Sequence, residues 1–180
     1  MKVICISGKA GSGKDTFAGF LKQALCDKGY KVLIAHNADL LKYICKTFFS
    51  WDGNKDEHGR ELLQHIGTDV IRAKQPDTWV NFIHMILKFF PSEWDFVLIP
   101  DVRFTNEISI LSEDENLDVY TVRINRCRFV SKLTDEQKNH PSETELDDYP
   151  FDYYVKNVAG LETLASSAET VAKDIIKTGE

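Results

Sequence analysis

The first apolar run, "VICIS" (Val3–Ser7), is short, rich in β-branched residues and closed by Gly8, the pattern of a strand buried on both faces. From Lys14 the period changes. Phe17, Phe20, Leu21, Ala24 and Leu25 fall on one side of a helix that stops at Gly29. "KVLIA" (Lys31–Ala35) predicts a second strand. Helical spacing returns over Ala38–Phe49 and Glu61–Lys74, and Asp77 fits the N-cap of a further helix running to Phe90. "DFVLIPD" reads as a wholly apolar strand ending at Asp101, "DVYTVRI" as a fourth strand and "FDYYV" as a fifth. Leu161, Leu164, Ala165, Ala168, Val171, Ala172 and Ile175 mark the core face of a last helix.

Strands that alternate with helices, several of them apolar throughout, predict an α/β fold with a five-stranded parallel sheet covered on both faces. With no repeat, low-complexity tract or linker, one domain over 1–180 is expected. Ligands of such sheets bind beyond the carboxyl ends of the strands. Gly8, Asp101 and Arg126 all follow strand ends and should share one crevice. The polar stretch 127–149, between the fourth and fifth strands, is a candidate lid.

Composition narrows the partners. With 43% hydrophobic residues in 180, the chain can bury a proper core, and its net charge of −6 argues against nucleic acid as a partner. An anionic ligand must then be gripped by local clusters of Lys and Arg. Cys5, Cys26, Cys45 and Cys127 are scattered, which suits reduced thiols rather than a zinc site or a disulfide framework. No apolar run approaches a membrane span or a signal peptide, so the expected location is the cytoplasm (a host's, if the protein is viral), with no membrane partner.

The chemistry starts in "GKAGSGKDT" (Gly8–Thr16), set between a strand and a helix. Gly8, Gly11 and Gly13 permit the tight turn that points backbone N–H groups at a polyphosphate, with Ala10 and Ser12 contributing amides. Lys14 reaches the β- and γ-phosphates, and the helix start adds its positive end. Where such loops place a hydroxyl after the lysine, this chain has Asp15, with Thr16 next. A carboxylate beside a triphosphate is repulsive without a metal, so ATP is expected as a Mg²⁺ complex. Asp15, Thr16 and Asp101 form the candidate metal set.

Arg60, Gln64, Thr68 and Arg72 recur every four residues, while Leu62, Leu63, Ile66 and Val70 take the other side. Two guanidiniums in a stripe without an acid suit a phosphate and a polar ring. With Arg103 and Arg126 leaving strand ends nearby, a second phosphate site is expected. An acceptor that is already a phosphomonoester needs cations more than a base.

"GKAGSGKDT", Asp39 with Lys42, "GRELLQHIGTDVIR", "DTW", "DVRFTNE", "HPSE" and "FDYYVKN" resemble, in this order, the deoxynucleoside monophosphate kinases of bacteriophages and their bacterial relatives. That group is similar to the animal-type phosphomevalonate kinases, and the resemblance runs from Lys2 to about Asn157. It implies a three-layer P-loop nucleoside-kinase fold that moves the γ-phosphoryl of ATP to a nucleoside monophosphate. Lys14, Asp15, Asp101, Arg103 and Arg126 would act at the transferring phosphates. Asp39, Lys42, Arg60, Gln64, Thr68, Arg72, Trp79, Arg103 and Asn106 would hold the acceptor. The family often has proline where this chain has Leu40 and Thr105. A phosphomevalonate-type kinase and a non-catalytic ATP-dependent sensor are the alternatives, and the chain is expected to be a monomer or homodimer. Trp51, Trp94, His65 and His84 read as packing residues, while His140 and Glu143 read equally as ligands or loop residues.

Overall fold

The computed structural model describes every residue except 128, 129, 132, 159, 179 and 180. Among the described residues β1 (Lys2–Ser7), β2 (Val32–Ile34), β3 (Phe96–Val102), β4 (Asp118–Arg126) and β5 (Tyr153–Asn157) form one sheet. Its order is β2-β3-β1-β4-β5, and every neighbouring pair is parallel. β1 is central, and Val3, Ile4, Cys5 and Ile6 are wholly inaccessible.

The pleat divides these side chains between two cores. Ile4 and Ile6 meet Phe17, Leu21 and Leu25 of α1 (Lys14–Cys26) and Leu164, Ala168 and Val171 of α8 (Gly160–Lys177). Val3 and Cys5 meet Val80, Ile83 and Leu87 of α4 (Thr78–Phe89) and Ile108 and Leu111 of α5 (Asn106–Ser112). Each fully buried Phe, Leu or Ile stabilises the fold by about 1.5–3 kcal/mol. Three layers result, as the sequence pattern predicts. Between α4 and the turn after α5, His84 Nε2 meets Asp114 Oδ2 at 2.7 Å, and that bond holds the Asp114 carboxyl below its ordinary range.

Pro100 shapes the strand end that matters most. Proline has no N–H for the ladder. The β1–β3 register shifts there, with Cys5 opposite Ile99 but Ser7 opposite Val102, so a bulge precedes the crevice at Asp101.

A third cluster lies to one side: Leu41 and Cys45 of α2 (Ala38–Phe48), Trp51, Ile66 and Trp79. The helix expected over Glu61–Lys74 starts earlier, as α3 (Glu57–Gln64), and widens into a π-helix over His65–Arg72. Gly67 in that stretch allows α2 to approach, since a Cβ there would lie 2.6 Å from Leu41 Cδ2.

Other expectations shift. Leu161 is 65% exposed and His65 lies on the surface beside Asp69, so neither is a core residue. Asp77 precedes α4 but makes no cap bond, because its carboxylate accepts from Asn106 Nδ2 at 2.7 Å instead. The stretch 127–149 contains α6 (Asp135–Asn139) and α7 (Pro141–Thr144) among its described residues. α6 opens with a capping box between Thr134 and Gln137.

Candidate active site

Gly8, Gly11 and Gly13 take φ of 154°, 75° and 97°, which other residues rarely adopt, and α1 begins immediately afterwards. The loop is tied from outside: Arg126 Nη1 donates to Gly11 O at 2.9 Å and Asn157 Nδ2 to Ser12 O at 2.9 Å. Lys14 is buried and donates to Gly8 O at 2.7 Å and Lys9 O at 3.0 Å. Burial, and then Arg103, lower its ammonium to about 7. An anion among the loop amides would oppose both effects by direct attraction to the ammonium.

Asp15 points to solvent, and one oxygen meets His36 Nε2 at 3.2 Å, a bond that lowers the acid and raises the histidine. Thr16 is exposed on the same turn of α1. Asp101 accepts from the Asn37 and Ala38 amides at 2.9 and 3.0 Å, fastening the end of β3 to the start of α2. Each carboxylate oxygen carries two lone pairs, so these bonds leave acceptor capacity. Among the described residues no group of three or more His, Cys, Asp or Glu forms a metal cage. Two carboxylates and a hydroxyl near a phosphate loop nevertheless fit Mg²⁺, which keeps several waters and takes phosphate oxygens.

Beyond the loop a cavity of roughly 200 Å³ opens between α2, α3, the π-helix, α4 and the turn after β3. Arg60, Gln64, Thr68 and Arg72 all line it. On an α-helix a four-residue step overshoots a full turn, whereas on a π-helix it falls short. The opposing drifts keep the stripe facing one space. Leu63, expected on the far side, also lines the cavity, as do Leu41 and the Trp79 ring. The Trp79 indole N–H is committed to Gly67 O at 3.1 Å.

The cations there differ. Arg72 lies over the Phe104 ring, its Cζ 3.7 Å from the centroid, and its Nη2 pairs with Glu107. Arg60, half-buried in the wall, makes no hydrogen bond or ion pair among the described residues. Arg103 connects the cavity to the loop and donates to Ser142 O at 3.2 Å. Asp39 and Lys42 pair with each other at 2.8 Å, and neither lines the cavity. Asn106 reaches it through Arg72 Nη1, which it accepts at 3.0 Å.

α7 closes one side. Glu143 accepts from the Ala10 amide at 2.9 Å and pairs with Arg103 at 2.7 Å. Asp147 pairs with Lys9 at 2.5 Å and with Arg123 at 2.7 Å. Sequence pattern alone does not mark His36, Glu107, Arg123 or Asp147 as site residues. Arg123 carried a signal: an arginine set between Val122 and Ile124 in a strand must find a buried partner, here Ser7 Oγ at 3.0 Å as well as Asp147. His36 lies two residues past β2, close to a strand end as Gly8 and Asp101 are, although Asp101, expected past the end of its strand, is the penultimate residue of β3.

No family model matches the chain, and none of the curated proteins does. Solved structures are similar to it in fold. The APS kinase of Mycobacterium tuberculosis matches with a TM-score of 0.55 at 12% identity over 96% of each chain. The shikimate kinase of Aquifex aeolicus matches with a TM-score of 0.51 at 15% identity over the whole of both chains. The five-stranded parallel sheet with helices on both faces is therefore a fold that the chain shares with these two kinases.

Proposed function

We propose that the protein is a magnesium-dependent kinase that transfers the γ-phosphoryl group of ATP to a nucleoside monophosphate. One observation carries this reading: a cavity lined by Arg60, Gln64, Thr68 and Arg72 adjoins the phosphate loop, and Arg103 is common to both. A slow nucleotide-dependent sensor needs the loop but no second cationic cavity. The kinase fold of the similar structures supports the same reading.

Lys14 and the amides of residues 8–13 would hold the donor phosphates, with Arg126 steadying the loop from outside. Asp15, Thr16 and Asp101 would hold Mg²⁺, which screens the negative charge of the phosphates. Arg60 and Arg72 would grip the acceptor phosphate, while Gln64 and Thr68 face its sugar or base. An acceptor oxygen attacks the γ-phosphorus, and the bond to the bridging oxygen breaks with its electron pair leaving on ADP. The attacking phosphate is already ionised, so no base is required. Arg103 stands where charge gathers on the transferring group.

The test is ADP formation with single candidate acceptors. Stimulation by one or more nucleoside monophosphates is expected. Stimulation by phosphomevalonate alone would assign the cavity to a non-nucleotide phosphate, and stimulation by neither would leave a sensor.

A further inference from the structure

Glu107, in the first turn of α5, has no place in that scheme. Only 2% of it is accessible, yet it lines the cavity. One oxygen accepts from Arg72 Nη2, and the other accepts the Arg103 amide at 2.7 Å and the Phe104 amide at 3.2 Å. A buried carboxylate loses its hydration and survives where a cation and hydrogen bonds replace it. Burial pushes this one up to about 7, with Arg72 and the two amides pulling down and Asp101 pushing up.

Its main partner is held on every side. Phe104 lies under the guanidinium, and Pro76 O and Asn106 Oδ1 accept from Nη1 at 2.9 and 3.0 Å. A guanidinium has five N–H donors. Two of them serve Nη1's acceptors and one serves Glu107, so Nε–H and one Nη2 hydrogen remain for a ligand. Two donors suffice for a paired contact to phosphate. Such contacts gain most when the donors are fixed beforehand.

We propose that Glu107 is a positioning residue for the acceptor phosphate, its buried carboxylate fixing the Arg72 guanidinium and the Arg103 backbone together so that the cation on the acceptor phosphate and the cation beside the transferring group keep a set geometry. This rests on the reading of the cavity as the acceptor site. The carboxylate itself does not touch the phosphate, since like charges there would repel. It acts through Arg72, and its loss should appear in acceptor binding rather than in ATP binding.

The experiment uses the full chain with Glu107→Gln, Arg72→Ala and the double variant, assayed with the nucleoside monophosphate found active. Glu107→Gln should raise KM for that acceptor by about tenfold, the worth of one charge-assisted contact, with KM for ATP changed less than about twofold. The double variant should be no worse than Arg72→Ala alone. Additive effects, or an unchanged acceptor KM in a folded Glu107→Gln protein, would overturn the proposal. NMR of the Arg72 Nε–H group supplies a readout independent of turnover, with inorganic phosphate as the probe. Its signal should be sharp and move with phosphate in the parent protein, and broaden in Glu107→Gln. A signal that stays sharp would sink the positioning role even if no monophosphate proves to be a substrate. Conversely, a broadened signal together with an inactive acceptor panel would overturn only the kinase reading. If Glu107→Gln does not fold, Glu107→Asp keeps the charge but withdraws it by one methylene, and the same rise in acceptor KM is expected.

Discussion

Arg72 is enclosed by the protein before any ligand arrives, with an aromatic ring below and a carboxylate at one end. Its truncation should therefore act on one substrate. Arg72→Ala is expected to raise KM for the monophosphate roughly 10- to 100-fold, the equivalent of about 1.5–3 kcal/mol, and leave KM for ATP nearly unchanged. Arg72→Lys should recover only part, because an ammonium cannot make the paired contact. Equal weakening of both substrates would assign the stripe a structural role. Asp15 poses the opposite question, being exposed and bonded through His36. If it supports Mg²⁺, Asp15→Ser should keep substantial activity and Asp15→Leu should lose it, measured as turnover across a Mg²⁺ titration. A leucine variant as active as the parent would make Asp15 an acid merely favoured at a helix start.

Among the elements, α7 holds the most exposed position in energetic terms. Its Glu143 carboxylate occupies the Ala10 amide and Arg103, two groups that the proposed mechanism assigns to phosphate. A phosphate that enters there must displace an anion. Glu143→Gln removes that competitor's charge while keeping its shape, so KM for ATP is expected to fall several-fold, the scale of a charge-assisted bond. A rise would mean that the carboxylate supports the site instead. The π-helix yields a sharper case, since its widened turns keep Arg72 in line with Arg60. Deleting one residue within 65–72 should restore α winding there and change the angle at which Arg72 follows Arg60. The variant should melt cooperatively by circular dichroism yet lose acceptor-stimulated ADP formation. Retained stimulation would show that the alignment is dispensable. This part of the site was half legible from sequence. The four-residue recurrence of Arg60, Gln64, Thr68 and Arg72 revealed the stripe. Nothing local revealed the π winding, nor the close approach of Leu41, a residue distant in sequence, to Gly67 within it. Glu107 and Asp147 stayed hidden because what defines them is a partner on another element.

At the scale of the molecule, the parallel sheet gathers its chemistry at one edge. Ser7, Asp101 and Arg126, at or near the ends of β1, β3 and β4, lie there together although far apart in the chain. That arrangement was readable, because apolar runs closed by Gly8 and Asp101 announced both the strands and their ends. The placing of β1 between β3 and β4 was not, since strand order depends on long-range pairing. The central place of β1 also bears on synthesis. Of the five strands it is the earliest in sequence and leaves a ribosome well before its partners β3 and β4, which begin at Phe96 and Asp118. At roughly 5–20 residues per second, the wait for β3 lasts on the order of 5 to 20 s. Through that interval four side chains destined for zero exposure have no sheet to join. Nascent chains arrested before residue 96 should thus be sensitive to protease and prone to aggregate, and chains arrested well past residue 126 should resist. Early resistance would show that α1 alone can shelter the strand. The segment that leads into the glycine loop is thus the one the growing chain must guard longest.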